Sequence, residues 1–311
     1  MSDVRGRFAP SPSGRMHLGN VFSALLAWAS ARSQDGEFVL RLEDLDERTR
    51  NPEYARLICE DLEWLGIDWD GKPLLQHEHL NRYETAFDVL RQRAEVYPCF
   101  CSRADLHAAS APHASDGSVL YAGTCRHLSE AEIERKTQVK DPAYRIHVPD
   151  MDVTIHDAHM GEYTQSLARD CGDFVIRRSD GIFAYQLVCV VDDAVSGITE
   201  VVRGSDLLSS TPRQIMLQEL LGYETPGYAH HPLLVDQLGR RLSKRDKDCD
   251  MGFIRSHMRA PETLVGYLAY RAGIVNSCEP MTAHELVGEF SWDKVGSNDI
   301  SIYDGFVPLD A

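Results

Sequence analysis

Two short segments more than two hundred residues apart carry side chains suited to phosphoryl chemistry: Pro10-Ser11-Pro12-Ser13-Gly14-Arg15-Met16-His17-Leu18-Gly19-Asn20 near the start, and Arg241-Leu242-Ser243-Lys244-Arg245 near the end. The first lies between an apolar stretch, Val4 to Pro10, and a run in which Leu18, Val21, Phe22, Leu25, Leu26 and Ala29 recur at helical spacing. A strand, a turn and a helix start are therefore expected to meet at His17 and Gly19. Backbone N–H groups at a helix start lack internal partners and carry partial positive charge, which suits phosphate. Gly19 lets a flat base or ribose come close to the main chain, His17 offers a hydrogen bond to a phosphoryl oxygen, and Lys244 offers a mobile point charge. Either segment alone reads as a turn or a solvated basic loop. Their order and context together read as two halves of one ATP site.

These residues carry a resemblance to a known family. Arg7-Phe8-Ala9-Pro10-Ser11-Pro12-Ser13-Gly14 followed by His17-Leu18-Gly19-Asn20 resembles the "HIGH" signature of class I aminoacyl-tRNA synthetases in its glutamyl form. Arg241 to Arg245 is similar to the partner "KMSKS" signature, with Leu in place of Met and Arg at both ends. The resemblance runs from Arg7 to about Phe253 and is tightest over 7–46 and 173–222. It implies an α/β fold: a Rossmann-like parallel sheet core split by a zinc-bearing insertion, with a short C-terminal helical remnant. It also implies an ATP site of Pro10, Ser11, His17, Gly19, Asn20, Arg241, Leu242, Ser243, Lys244 and Arg245, in which His17 and Lys244 are catalytic and Mg2+ accompanies ATP. No G-x-G-x-x-G follows the first strand, so a dehydrogenase reading is poor.

A glutamate substrate brings two carboxylates and an ammonium, so its pocket needs planar cationic forks and an acid. Arg7, Ser11, Glu43, Tyr185 and Arg203 match the glutamate-contacting positions of the family. Glu43 is assigned to the ammonium; Arg7 and Arg203 share the carboxylates, and which takes the side-chain carboxylate stays open. Cys99, Cys101, Tyr121 and Cys125 match the zinc ligands of one subfamily. Thiolates are strong tetrahedral ligands, and one structural Zn2+ per chain would staple a loop with little apolar content. A phenol binds well only after losing a proton with a pKa near ~10, so His107, His113 and His127 compete for the fourth place.

About sixty-six residues follow Arg245, too few for the helical anticodon-binding region of a conventional glutamyl-tRNA synthetase. With the Cys-x-Cys and Tyr-x-x-x-Cys insertion, this resembles the glutamyl-queuosine tRNA(Asp) synthetases. The resemblance implies tRNA-independent formation of glutamyl-adenylate, then transfer of glutamate to the queuosine base at the wobble position of tRNA(Asp). Two other readings stay open: a minimal glutamyl-tRNA synthetase charging a tRNA 3′ end, and a catalytically silent RNA-binding module.

The elements that must position these residues follow from pattern. Glu37–Leu42 reads as a strand ending in the acids Glu43, Asp44 and Asp46; Asn51-Pro52-Glu53 starts a helix that runs to Gly66, and another spans about Leu80 to Ala94. Strand, helix, strand, helix implies a parallel sheet. Tyr144 to Val148 reads as a strand, Asp173 to Tyr185 as a hairpin about Ser179-Asp180-Gly181, Gln186–Val191 and Ile198–Val202 as further strands, and Thr211-Pro212-Arg213-Gln214 as a helix start. The domain reading is 1–96, first half of the core; 97–171, connecting insertion; 172–250, second half of the core; and 251–311, short helical stem-contact remnant.

Composition bounds the rest. A chain of 311 residues exceeds one compact domain. It has no eighteen-residue apolar run and no basic-then-apolar leader, so a cytoplasmic location without membrane contact is expected, as a monomer. Eight irregularly spaced cysteines fit reduced thiols or metal ligation. The net charge of −16 argues against a wholly basic RNA footprint. Arg126, Arg135, Lys136, Lys140, Arg177, Arg178, Arg240, Arg241, Lys244, Arg245 and Lys247 are candidates for a local one.

Overall fold

The computed structural model describes residues 3–102, 104–105, 120–240, 242 and 250–302. Strand β1 (Arg5–Phe8) leads through the signature turn into α1 (Leu18–Ser33), which returns to β2 (Glu37–Leu42). The two strands pair in parallel from Arg5 opposite Glu37 to Phe8 opposite Leu40. Helix α2 (Pro52–Trp64), capped by the Asn51 side chain on the Glu53 amide, leads on to β3 (Leu74–Leu75), parallel to β2. Helix α1 is buried from Leu18 to Ala31 almost all round. Its alanines permit that: the position a Cβ would take on Gly6 of β1 lies 3.1 Å from the Ala31 methyl group, so the helix sits directly on the strand.

Helix α3 (Leu80–Arg93) precedes β4 (Val96–Cys99), and α4 (Glu130–Thr137) precedes β5 (Ala143–Ile146). A hairpin follows, β6 (Asp152–Asp157) and β7 (Gly161–Ser166), with burial alternating along β6. After a single helical turn, α5 (Leu167–Asp170), β8 (Phe174–Arg177) pairs antiparallel to β5, which also pairs antiparallel to β4. Helix α6 (Tyr185–Val195), β9 (Glu200–Gly204), α7 (Thr211–Leu221), β10 (Gly227–His231) and β11 (Leu234–Val235) complete the second half. Strands β9 and β10 are parallel, and β9 lies beside β1 through a Thr199 N–H to Arg5 carbonyl bond of 3.0 Å.

Beyond the signature segment come α8 (Met251–His257), α9 (Pro261–Ala272), α10 (Ala283–Glu289) and β12 (Ile300–Ser301). They are docked onto the core: β12 pairs parallel to β11, and His284 of α10 meets the Trp28 ring of α1 edge-on at 5.4 Å.

One expectation needs correction. Gln186–Val191 is not a strand but part of α6. A short apolar run buried on all sides has the same composition in either state, and periodicity alone does not separate them. The hairpin expected over Asp173 to Tyr185 is present with a short return arm: Phe183 bridges Arg177 of β8, and the Arg178 and Ala184 N–H groups donate to the Ile182 and Ile176 carbonyls at 2.8 and 2.9 Å before Tyr185 starts α6. Glu37–Leu42 and the helix at Thr211 stand where the pattern puts them.

Gly266 marks the tightest docking of the C-terminal helices. A Cβ there would fall 1.9 Å from the Glu279 carbonyl oxygen and 2.9 Å from its carbon, both main-chain atoms. Gly266→Ala is expected to lower the denaturation midpoint by about 1–3 kcal/mol of stability through overpacking, despite the better helix propensity of Ala. A urea titration giving an unchanged or raised midpoint would contradict this packing.

Candidate active site

The carboxyl ends of β1, β2, β9 and β10 open onto a cavity of about 510 Å3. Beside β1, the chain leaves in one direction to β2 and receives β9 on the other side, the crevice where open α/β sheets place ligands. Arg7, Pro10, Ser11, His17, Gly19, Asn20, Glu43, Tyr185, Arg203 and Leu242 all line this cavity. Arg241, Ser243, Lys244 and Arg245, like Lys247, lie outside the described residues. Leu242, within that segment, is on the cavity wall, and beyond it Asp250 forms a bridge with His17 while the Met251 N–H donates to the Met16 carbonyl at 2.9 Å.

His17 is the N-cap of α1. Its Nδ1 accepts from the Gly19 N–H at 3.1 Å, and the Asn20 side chain accepts from the His17 N–H at 3.2 Å. The reciprocal cap satisfies helix-start donors within the chain. One consequence differs from the sequence reading: the Gly19 amide is already taken, so a phosphate would meet the imidazole rather than that N–H. With Nδ1 accepting, the neutral ring carries its proton on Nε2. A Cβ on residue 19 would lie 2.9 Å from the His17 Cε1, so glycine is required for the ring to fold over the helix start.

Beneath the cavity is a buried polar network that sequence patterning missed. Arg7 Nε donates to Asp193 Oδ1 at 3.3 Å and its Nη1 to the Val202 carbonyl at 3.2 Å. Arg41, 2 % exposed, donates to the same Asp193 oxygen at 2.5 Å and stands 3.5 Å from Glu43. Asp192 accepts from Gln76 at 2.8 Å and from the Tyr83 hydroxyl at 2.9 Å. The Cys189 thiol donates to Glu43 Oε1 at 3.3 Å. Helix α6 explains how one element supplies so much of this: Tyr185, Cys189, Asp192 and Asp193 fall on one helical stripe. Adjacent acids within an apolar run were the available signal for Asp192 and Asp193.

The charges are uneven in their environments. Burial pushes the Glu43 carboxyl above its ordinary range, with Arg41 opposing. Burial acts the same way on Asp193, but Arg41 and Arg7 outweigh it and hold that carboxyl low. Burial raises the Cys189 thiol well above its usual value, so it remains a thiol and a donor. Asp193 is thus the fixed anion that holds two guanidinium groups, and Glu43 is a buried acid whose charge Arg41 and Arg7 favour and burial opposes. Tyr185, at the mouth, is 39 % exposed.

Of the other acids expected after β2, Asp44 accepts from the His77 backbone at 3.0 Å and Asp46 pairs with Arg48 and Arg178. Four members of the expected basic face are ion-paired: Arg126 with Glu95, Arg177 with Glu84, Arg178 also with Asp180, and Arg240 with Asp236.

A second cluster lies in the antiparallel region. The sulfur atoms of Cys99, Cys101 and Cys125 fall within 4.8 Å of one another, and no His, Asp or Glu among the described residues joins them. Tyr121 Oη is 3.5 Å from Cys99 Sγ and 3.8 Å from Cys101 Sγ, and Cys101 and Cys125 are 3.6 Å apart. Ligands at ~2.3 Å around a tetrahedral ion are separated by about 3.8 Å, so this donor set fits a metal. His127 is not in the cluster, and His107 and His113 lie outside the described residues.

Comparison with known proteins matches this geometry to a family. Residues 3–301 match the family described as tRNA synthetases class I (E and Q), catalytic domain. The chain is 44% identical to a glutamyl-Q tRNA(Asp) synthetase of Nitratidesulfovibrio vulgaris, over 93% of this chain and 92% of the relative. It is 43% identical to one of Symbiobacterium thermophilum, over 96% and 95%. Among solved structures it is similar to a glutamate tRNA ligase of Elizabethkingia meningosepticum in complex with its amino acid, with 27% identity, a TM-score of 0.82, and coverage of 97% of this chain and 67% of that one. The chain belongs to the class I tRNA synthetase family (E and Q), and within it to the glutamyl-Q tRNA(Asp) synthetases.

Proposed function

We propose that this chain joins glutamate to ATP without tRNA, giving glutamyl-adenylate and pyrophosphate, and then passes glutamate to the queuosine base at the wobble position of tRNA(Asp). The observation that carries this reading is convergence: Arg7, Glu43, Tyr185 and Arg203 share one cavity with His17 in a chain whose relatives bear that name.

No protein nucleophile is needed in the first step. An oxygen of the glutamate α-carboxylate attacks the α-phosphorus in line, and the bond to the β-phosphate breaks. The chain's task is positioning and stabilisation of charge. Arg7 and Arg203 grip the two carboxylates, Glu43 takes the ammonium, and Tyr185 closes the mouth. The ammonium adds a second cation to Arg41 beside Glu43, which favours the carboxylate form. Pro10, Ser11, Gly19 and Asn20 form the nucleotide wall; His17 donates from Nε2 to phosphoryl oxygen. Lys244 brings its charge to the outer phosphates from the segment 241–245, and ATP arrives as its Mg2+ complex. In the second step a hydroxyl of the cyclopentenediol attacks the activated carbonyl, its proton leaves, and AMP departs.

The domain division at 97, 172 and 251 is part of this reading, with the modified anticodon loop approaching along the insertion. So are a cytoplasmic location and a monomeric state. Cys99, Cys101, Cys125 and Tyr121 hold one structural zinc, whose role is to tie together the two ends of the loop between them. Elemental analysis is expected to find one zinc per chain, lost in Cys125→Ser; purified protein that binds no zinc when supplied with it would remove this part of the reading.

The likeness to glutamate tRNA ligases favours one second reading, charging of a tRNA 3′ end. The same assay series separates the two. Glutamate-dependent ATP–pyrophosphate exchange without tRNA is expected to proceed, and to fall by about 10²–10³ in His17→Ala and Lys244→Ala. Transfer of labelled glutamate is expected to tRNA(Asp) carrying queuosine and not to unmodified tRNA(Asp). Transfer to unmodified tRNA(Glu) instead would establish the second reading, and no exchange with any amino acid would leave only a silent RNA-binding module.

A further inference from the structure

Arg203, the last residue but one of β9, has its guanidinium fixed on several sides. Its Nε donates to His230 Nε2 at 3.0 Å, its Nη2 donates to Thr211 Oγ1 at 2.8 Å, and the group lies 5.5 Å from the centre of the Tyr228 ring. Nη1 makes no hydrogen bond to a described residue, while the side chain as a whole lines the cavity. His230, on β10, is fully buried. Its Nδ1 stands 2.6 Å from Asp157 Oδ2, and its backbone N–H donates to both Asp157 oxygens at 3.0 and 3.1 Å. Asp157, the last residue of β6, also accepts from the His159 and Met160 amides at 3.0 and 2.8 Å.

These contacts determine where the imidazole proton sits. A guanidinium has donors and no acceptor, so His230 Nε2 must present its lone pair to Arg203 and the proton must be on Nδ1, donated to Asp157. A doubly protonated ring would aim an N–H at another N–H. Burial lowers the pKa of His230 and the Arg203 charge adds to that, against the pull of Asp157, which keeps the ring neutral. The chain carboxylate, imidazole, guanidinium is therefore directional, and its far end is in the amino-acid cavity.

The geometry points to His230 and Asp157 as positioning residues for glutamate recognition: Asp157 selects the tautomer of His230, and His230 aims the Arg203 fork at a substrate carboxylate. This rests on the reading that Arg203 binds glutamate. It also means that a residue of the β6–β7 hairpin, outside the parallel core, sets the geometry of the amino-acid pocket. Neither His230 nor Asp157 touches the reacting atoms, so their loss belongs in substrate affinity rather than in the chemical step.

The discriminating variant is Asp157→Asn. Asn keeps the shape and its oxygen can still accept the three amides. Its NH2 would then face Nδ1, forcing the proton onto Nε2 and against the Arg203 N–H, the wrong-tautomer effect known from a carboxylate–histidine pair in proteases. In glutamate-dependent ATP–pyrophosphate exchange, Asp157→Asn and His230→Leu are expected to raise the KM for glutamate about tenfold or more, with the KM for ATP within about twofold and exchange at saturating glutamate largely retained. His230→Gln, whose amide oxygen can take the Arg203 Nε–H, is expected to recover most of the affinity lost in His230→Leu. Arg203→Ala serves as reference. Equal rises in both KM values, or an unchanged glutamate KM in Asp157→Asn while Arg203→Ala raises it, would overturn the positioning role. If Arg203→Ala itself leaves the glutamate KM unchanged, the assignment of Arg203 to glutamate fails first and the proposal falls with it. Should His230→Leu not fold, the near-isosteric Asp157→Asn decides the question alone.

Discussion

The site depends on one buried carboxylate. Asp193 accepts from Arg41 and from Arg7, and all three side chains are shielded from solvent. A buried ion pair is not an economical source of stability, since removing its charges from water can cost more than their attraction returns. Removing one partner is a different matter: an uncompensated buried charge costs about 3–5 kcal/mol. What Asp193 contributes is geometry. It locks α6 to the ends of β1 and β2, so the guanidinium of Arg7 enters the cavity already oriented, and the rotamer entropy of a long side chain is spent in folding rather than in binding. Glu43 sits 3.5 Å from Arg41 at the edge of the same network. Its raised pKa follows from being the acid that Arg41 only partly compensates.

Arg203 is held on a different principle. Asp193 holds Arg7 by direct charge pairing, whereas Arg203 meets a neutral imidazole and a hydroxyl. Its positive charge is therefore less compensated by contacting groups, and the nearest carboxylate in its chain of bonds, Asp157, is one residue removed. The two cationic forks of the cavity thus differ in how much charge they offer an incoming carboxylate. They also come from different parts of the fold. Arg7 is fixed wholly within the parallel core, while Arg203 is fixed through a hairpin inserted into it.

Much of this was legible before any coordinates. The turn from Pro10 to Asn20 announces itself by Gly, Pro and Ser between an apolar run and a helical period, and the Asn51-Pro52-Glu53 start is a local signal that tertiary contacts do not alter. The residues expected at the nucleotide and glutamate positions come together wherever they are described. Cys99, Cys101, Cys125 and Tyr121 do too, because the thiols declare themselves by type and spacing. Sequence reasoning failed where burial is complete. Gln186 to Val191 is an apolar run too short to show a period, and taking it for a strand cut off Tyr185, Asp192 and Asp193, which the longer helix gathers on one stripe with Cys189. Arg41, Asp192 and Asp193 were missed for the same reason: their meaning lies in partners more than a hundred residues away. The His230 tautomer was invisible in principle, since only its contacts with Asp157, Arg203 and Thr211 decide it.

The claim on which the account stands is that one cavity holds both halves of an adenylate, the amino-acid half against Arg7, Glu43 and Arg203 and the phosphate half against His17 and Lys244. A crystal structure with a non-hydrolysable glutamyl-adenylate analogue tests it most directly. The account predicts the phosphate within hydrogen-bond distance of His17 Nε2 and Lys244 Nζ, and the side-chain carboxylate on one of the two arginines. An analogue bound away from the ends of β1 and β9, or bound there with Lys244 turned away from its phosphate, would contradict it.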